Sequence, residues 1–196
     1  GQALEAIRMV QKYLPNSYEL GAKDHTAREQ MHYAATIAGM AFANAFLGLC
    51  HSMAHKLGAM YHVPHGLANA LLLDYIIEFN ATDKPHKQGL FPQYKYPFVK
   101  SRYAAIADFV FPHNRMKDED EKVQKLIEMV QELKKKCNIP TSIKEFLDKN
   151  GVEEKTFLDN VDKLSELAFD DQCTGGNPRP CTWEEVLGVY KTAFGK

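Results

Sequence analysis

Four histidines lie close together in this 196-residue sequence, around a glycine and a proline. His51 and His55 are four residues apart, so on a helix they project from one face, one turn apart. Pro64 ends or redirects that helix, and His65 begins the next apolar stretch. Neutral imidazole is the commonest protein ligand of iron, zinc and copper. The cluster, which also includes His62, therefore predicts one wall of a transition-metal site.

The competing interpretation is that these are ordinary histidines on a helix surface or in a hydrogen-bonded core. That is the usual situation for a single histidine, whereas the clustering of several favours metal binding. A bound divalent metal ion polarises an alcohol or carbonyl oxygen or lowers the pKa of a bound water. A catalytic site uses about three or four protein ligands. The local histidines do not supply a full set, so the site needs ligands from elsewhere.

Several other functions are disfavoured by the residue pattern. The residues between His51 and His55 include no glutamate, so the H-E-x-x-H motif of zinc proteases is missing. Gly175 and Gly176 form too short a glycine pair, with no preceding strand, to bind a nucleotide phosphate. The formal net charge of −1 gives no basic surface for nucleic acid or for an acidic membrane. We expect neither as a partner.

The cysteines indicate the compartment. Cys50, Cys137, Cys173 and Cys181 are widely spaced and form no C-x-x-C pair. This spacing argues against a zinc ribbon and against a disulfide scaffold. It fits a reducing compartment, and without a recognisable signal peptide we expect a cytoplasmic protein.

The segments that must position the histidines show the periodicity of helices. A first helix is predicted over residues 2–14, ended by Pro15. A second, rich in alanine, begins at Asp24 or Thr26, with Glu29 as a capping-box partner of Thr26, and runs to about residue 45. We expect it to be a buried central helix rather than a membrane span, because alanine and glycine contribute little transfer energy and Asn44 interrupts the run.

The rest of the chain is also predicted to be helical. Capping boxes at Ser142 and Thr182 begin two of the later helices. Residues 80–100 combine prolines with aromatic residues and are predicted to be a packed irregular excursion. No alternating run is long enough for a strand, so we predict an all-α bundle of about seven to nine helices. The remaining helices are predicted over residues 49–60, 64–79, 101–111, 121–137, 142–147, 153–168 and 182–194.

Three segments together resemble a known family. Residues 48–70, GLCHSMAHKLGAMYHVPHGLANA, resemble the metal-binding signature of the iron-dependent (group III) alcohol dehydrogenases. Residues 102–108, RYAAIAD, and 161–179, VDKLSELAFDDQCTGGNPR, resemble the alcohol dehydrogenase half of bifunctional aldehyde-alcohol dehydrogenases. The resemblance covers essentially the whole chain. It implies that residues 1–196 are the all-helical, metal-binding C-terminal domain of the dehydroquinate synthase-like fold.

The resemblance also implies an activity. Members of this kind reduce acetaldehyde to ethanol, and the reverse, with NAD(H) as the hydride carrier. They hold Fe²⁺, and Zn²⁺ suits the same ligands. The family's nucleotide-binding domain and its first two metal ligands, in a D-x-x-x-H helix, have no counterpart in this sequence. Because the chain begins within a helical pattern, we interpret it as a fragment and expect those parts upstream. Small alcohols or aldehydes and a homo-oligomer or filament are the implied partners.

Residue roles follow from the resemblance by position. His51 and His65 match metal ligands. His55 matches a residue near the nicotinamide and the metal that helps proton transfer, and His62 matches no assigned role. From spacing alone, pairing of His51 with His55 as ligands stays open. Three positions match residues that line the substrate pocket: Phe42, Leu47 and Cys173.

Two other functions are open at this stage. The chain could be a metal-binding or assembly module without catalysis of its own, or an independent histidine–metal hydrolase. We expect the chain by itself to lack alcohol dehydrogenase activity, because it has no phosphate-binding loop and only half of the implied ligands.

Overall fold

A computed structural model of the protein describes residues 1–82 and 98–195. These residues form nine α-helices and two short 3₁₀ turns, with no strand among them, so the predicted all-α class is confirmed. The predicted aromatic excursion lies largely in residues 83–97, outside the described residues. The helices are α1 (Gln2–Leu20), α2 (His25–Ala45), α3 (Leu49–Tyr61), α4 (His65–Asn80), α5 (Val99–Val110), α6 (Glu119–Lys136), α7 (Ile143–Lys149), α8 (Glu154–Phe169) and α9 (Trp183–Phe194).

The helices divide into two compact units. The first contains α1, α2, α6 and nearly all of α5 (Gly1–Phe46 and Lys100–Asn138), and the second contains α3, α4 and α7 to α9 (Leu47–Val99 and Ile139–Lys196). In the described part of the chain, no single helix is both long and apolar enough to cross a membrane. Counted together as one bent pair, α2 and α3 are long and apolar enough, by length and composition alone.

In the first unit, α1 continues through Pro15 to Leu20, so the predicted end at Leu14 is wrong. A proline inside a helix lacks one N–H donor and costs about 3 kcal/mol. Because α1 packs along α2 and also contacts α6, tertiary packing holds the helix together past this residue.

The second helix of this unit is capped by Asp24, whose carboxylate accepts a hydrogen bond from the Ala27 N–H at 2.9 Å. Of the two predicted caps it is therefore Asp24, not Thr26, that forms. The prediction of a buried central helix is wrong, because only Ala27 and Ala34 are buried along α2. Small side chains allow a close approach, but composition does not determine how much of a helix is covered.

The second unit contains the larger core, built from α3, α4, α7, α8 and α9. The rings of Phe157 and Phe194 stack with centroids 4.3 Å apart. Tyr190 is fully buried, and its hydroxyl donates to the carbonyl of Met53 at 2.8 Å. This bond satisfies a polar group that would be costly to bury alone. It also attaches α9 to the middle of α3, the helix that carries two of the histidines.

Local signals set the helix starts in this unit. The capping box of Thr182 and Glu185 forms as predicted. Ser142 accepts a hydrogen bond from the Glu145 N–H at 3.1 Å, whereas the Glu145 carboxylate caps the backbone of Thr141 instead. The second predicted box therefore forms only in part.

Candidate metal centre

Three of the four clustered histidines meet in the second unit. His51 and His55 project from α3, and His65 is the first residue of α4. Ring centroids are 5.3 Å apart for His51 and His65, 5.6 Å for His55 and His65, and 6.2 Å for His51 and His55. The predicted proximity of His51 and His65 is confirmed.

A tight turn between α3 and α4 produces this proximity. His62 ends α3 in the left-handed conformation (φ 55°), and its N–H donates to the carbonyl of Gly58 at 3.0 Å. A Cβ on Gly58 would lie 3.3 Å from the carbonyl of Val63, so this position has little room for a side chain. Pro64 then begins α4 with an extended backbone. The exposed His62 therefore belongs to the turn rather than to the cluster.

The protonation of His51 suits metal binding. Its ring is partly buried, and burial, followed by the neighbouring His65 and His55, lowers the pKa of the imidazole. A lowered pKa favours the neutral ring, which is the form that coordinates a metal ion.

His65 is held by a residue one turn further along α4. The side-chain N–H₂ of Asn69 donates to the His65 carbonyl at 3.0 Å and lies 3.3 Å from Nε2 of the same ring. Sequence analysis did not single out Asn69, although its position four residues after His65 is a spacing that places it beside that ring.

Asp171 contacts two successive residues of α3. One carboxylate oxygen, Oδ2, lies 3.2 Å from Nδ1 of His55 and 2.8 Å from Nζ of Lys56. The other, Oδ1, accepts a hydrogen bond from the Cys173 N–H at 3.0 Å. Burial raises the pKa of Asp171, but the bonds from Lys56, Cys173 and His55 outweigh burial and hold that pKa well below its usual range.

The segment 171–177 lies along α3, and every third residue of the segment contacts every third residue of the helix. Asn177 accepts a hydrogen bond from the Leu49 N–H at 3.2 Å. The hydroxyls of Thr174 and Ser52 are 2.7 Å apart, and Asp171 contacts His55 as described. We call this segment the α3 strap. It runs antiparallel to the helix, and of the histidines on α3 it contacts His55.

Comparison with known proteins decides the family. Residues 1–194 match the sequence profile described as "Fe-containing alcohol dehydrogenase family, C-terminal". The chain belongs to this family.

Similar proteins include both bifunctional and single enzymes. The chain is 55% identical to the bifunctional aldehyde-alcohol dehydrogenase AdhE of Escherichia coli K12, over 100% of the chain and 22% of that protein. It is 44% identical to an NADPH-dependent butanol dehydrogenase of Clostridium saccharobutylicum, over 98% of the chain and 43% of that protein. The chain thus spans about a fifth of the bifunctional relatives and less than half of the single enzymes.

Solved structures of the family have the same fold. An iron-containing alcohol dehydrogenase from Thermococcus thioreducens matches with a TM-score of 0.78 and 35% identity, over 100% of this chain and 44% of that one. A 1,3-propanediol oxidoreductase matches with a TM-score of 0.80 and 31% identity, over 98% of this chain and 44% of that one.

The donor set of this family member fits the metal that the family's description names. Imidazole nitrogen suits both iron and zinc. In a tetrahedral site with metal–nitrogen distances of about 2.1 Å, two ring centroids lie about 5 Å apart. The 5.3 Å separation of His51 and His65 matches this value most closely of the three pairs.

A second group of potential ligands lies next to the first. His55, Asp171 and Cys173 bring one donor atom each within 4.8 Å of one another. Both carboxylate oxygens of Asp171 already accept hydrogen bonds, one of them from an ammonium group. Burial and then Asp171 raise the pKa of the Cys173 thiol, which disfavours the thiolate that binds metals. This trio is therefore a poorer metal site than the histidine pair.

The predicted pocket residues lie in both units of this family member. Phe42 is exposed on α2 in the first unit, whereas Leu47 and Cys173 belong to the second, where Cys173 is buried. Their role in a substrate pocket remains a prediction.

Proposed function

We propose that this chain is the metal-binding catalytic domain of an NAD(H)-dependent alcohol dehydrogenase. It would reduce acetaldehyde to ethanol, and carry out the reverse, as part of a bifunctional enzyme that converts acetyl-CoA to ethanol. The observation that carries the proposal is the meeting of three imidazoles in a chain of the iron-containing family. The 55% identity to an aldehyde-alcohol dehydrogenase supports the bifunctional assignment.

In this proposal His51 and His65 hold a divalent ion, Fe²⁺ or Zn²⁺. When bound, the ion polarises the oxygen of the aldehyde or alcohol. Aldehyde reduction moves a hydride from NADH to the carbonyl carbon and a proton to the carbonyl oxygen. His55 supplies that proton from Nε2 when its ring is protonated, and the neutral ring takes the proton back in alcohol oxidation. Nε2 is the nitrogen left for the substrate side because Nδ1 faces Asp171. In this role His55 would lie beside the nicotinamide, as the resemblance implies, and would not bind the ion.

The remaining parts of the site are assigned to other regions. We propose that the nucleotide-binding domain and two further metal ligands come from sequence outside these 196 residues, as the partial coverage of the relatives suggests. Leu47 and Cys173, both in the second unit, line the pocket for a small alcohol or aldehyde. The protein would form a homo-oligomer or filament in the cytoplasm, a reducing compartment that suits its four free cysteines.

One observation favours a second candidate, a metal-binding or assembly domain without catalysis of its own. Phe42 near the end of α2 and Phe46 just after it are four residues apart, and each is about half exposed. Exposed apolar side chains close together are typical of contact surfaces. On this alternative, the histidines bind metal only to stabilise the fold.

The test is to measure metal content and turnover in the complete protein that carries this chain. His51→Ala and His65→Ala should lose metal and activity together. His55→Ala should keep the metal and slow acetaldehyde reduction by about a hundredfold to ten-thousandfold. His62→Asn is the matched control, because asparagine tolerates the left-handed conformation, and it should retain both. Comparing NADH with NADPH identifies the hydride carrier.

Each contrary result has a clear meaning. If His55→Ala loses its metal while His65→Ala keeps it, the ligands are His51 and His55. If all three variants keep the wild-type rate, the assembly function is the better description.

A further inference from the structure

We propose that Asp171 is the positioning residue for His55. It accepts the Nδ1–H of the ring and thereby presents Nε2 as the nitrogen that exchanges a proton with the substrate. This inference rests on the proposed function, in which His55 moves that proton, and it adds the group that orients it.

The geometry makes Asp171 a fixed acceptor. Only 10% of its side chain is exposed, and Oδ2 lies 3.2 Å from Nδ1 of His55. Lys56 and the Cys173 N–H hold the two carboxylate oxygens at 2.8 and 3.0 Å. A carboxylate restrained on both oxygens can impose its position on a ring, whereas a freely rotating one cannot.

The chemistry then determines the tautomer of His55. A neutral imidazole has one N–H and one lone pair, and an ionised carboxylate only accepts hydrogen bonds. The nitrogen that faces Asp171 is therefore the donor, and Nε2 keeps the lone pair. The His55 ring is stacked on His65, at 22° and 5.6 Å, so the orientation set by Asp171 is the one presented to the histidine cluster.

Two simpler roles for Asp171 give different expectations. If Asp171 served only as the ion-pair partner of Lys56, its loss would not change the tautomer of His55. If Asp171 were a metal ligand with His55 and Cys173, its loss would remove the metal. The experiment separates all three.

The first measurement reads the tautomer directly and needs neither metal nor cofactor. Histidine-selective ¹⁵N labelling of the metal-free protein, at about pH 8 where imidazole is neutral, shows which nitrogen of each ring carries the proton. The His55 signals are identified by their loss in His55→Ala. We expect an Nδ1–H ring in the wild type and a shift toward Nε2–H in Asp171→Asn. Asp170→Asn is the matched control, the same change at the exposed neighbouring residue, and should leave the tautomer unchanged.

The second measurement reads the catalytic consequence in the complete, metal-loaded protein. Asp171→Asn should lower kcat by about 10- to 100-fold, with metal content and the KM for acetaldehyde near wild type. The solvent deuterium isotope effect on kcat should increase, because proton transfer becomes the slow step, which a purely structural role would not cause. Asp171→Glu, which restores the carboxylate, should recover part of the rate.

The outcomes distinguish the two proposals. An Nδ1–H ring that persists in Asp171→Asn overturns the positioning role, whatever the rate. Loss of metal in Asp171→Asn overturns it in favour of a ligand. An unchanged rate in His55→Ala instead refutes the proton-transfer role of His55 in the proposed function.

Discussion

The side-chain oxygen of Asn177 accepts a hydrogen bond from the backbone N–H of Leu49, the first residue of α3, at 3.2 Å. It satisfies one of the free amides at the start of that helix, two residues before His51. Its amide group also donates to Asn80, the last residue of α4, at 2.8 Å. A single side chain thus connects the two helices that carry the histidine cluster.

The space around Asn177 leads to a first prediction. A Cβ added to Gly48 would lie 3.0 Å from Oδ1 of Asn177, although the extended backbone there (φ −134°) accepts any residue. Gly48→Ala should therefore destabilise the protein by about 1–3 kcal/mol through crowding rather than backbone strain. Urea unfolding measures this change.

A double-mutant cycle tests whether Asn177 causes the destabilisation. In an Asn177→Ala background the crowded oxygen is gone, so Gly48→Ala should cost clearly less than in the wild type. Gly188→Ala, in the interior of α9 with open space around it, is the control and should stabilise the protein by about 0.5–1 kcal/mol. Equal costs in both backgrounds would show that Asn177 is not the obstacle.

A second prediction concerns acid stability. The pKa of folded Asp171 lies below its unfolded value of about 3.9. Its ionised form therefore stabilises the fold above about pH 4, and this contribution is lost as the pH falls through the folded pKa. Asp171→Asn should be less stable than wild type by about 1–3 kcal/mol at neutral pH, with a smaller difference at about pH 3.

The control for acid stability is Asp170→Asn, because Asp170 is exposed. Its stability relative to wild type should change little with pH. A difference between wild type and Asp171→Asn that stayed constant from neutral to acid pH would show that the low pKa is not the cause.

The third prediction follows from the proline inside α1. Pro15→Ala restores a backbone donor within a continuous helix, and should stabilise the protein by about 1–3 kcal/mol after the greater freedom of the unfolded chain is subtracted. Asn16→Ala, at the next position, changes only helix propensity and should give less than about 1 kcal/mol. Thermal unfolding followed by circular dichroism measures both. Destabilisation by Pro15→Ala would mean that the ring makes packing contacts worth more than the hydrogen bond.

The fourth prediction concerns the 196-residue chain alone. Mixed with NADH, acetaldehyde and Fe²⁺ or Zn²⁺, it should show no turnover, because hydride transfer needs a bound nucleotide. NADH oxidation followed by absorbance is the measurement, and the complete protein is the positive control. Turnover of about one per second or faster would show that the chain binds the cofactor itself.

The sequence predicted best what depends on near neighbours. The periodicity of α3 and α4, the Thr182 capping box and the turn that brings His51 to His65 are all local, so spacing alone was informative. The predicted end of α1 was wrong because tertiary packing, rather than local sequence, determines where that helix ends. Pro15 is a helix breaker by propensity, and only the contacts of α1 with α2 and α6 explain why the helix continues.

The partner of His55 could not be predicted from spacing. Asp171 lies 116 residues away in the sequence, in the segment 161–179, where the resemblance assigned a role to Cys173 but none to Asp171. Lys56, Thr174 and Asn177 gave no local signal either. The extent of burial along α2 could not be predicted either, because an alanine-rich composition fits a buried helix and an exposed one equally well.

The three-residue spacing of the α3 strap separates two kinds of change. Asp171, Thr174 and Asn177 make their side-chain contacts with α3, while the residue at 173 contributes a backbone N–H to Asp171 that any amino acid except proline supplies. Replacing Cys173 would therefore reshape the proposed substrate wall without removing any of the three side-chain contacts with α3. Adding or deleting one residue in the strap would instead displace at least one of the three contacts. Position 173 can thus vary by substitution, whereas the length of the segment is fixed by its three side-chain contacts with α3.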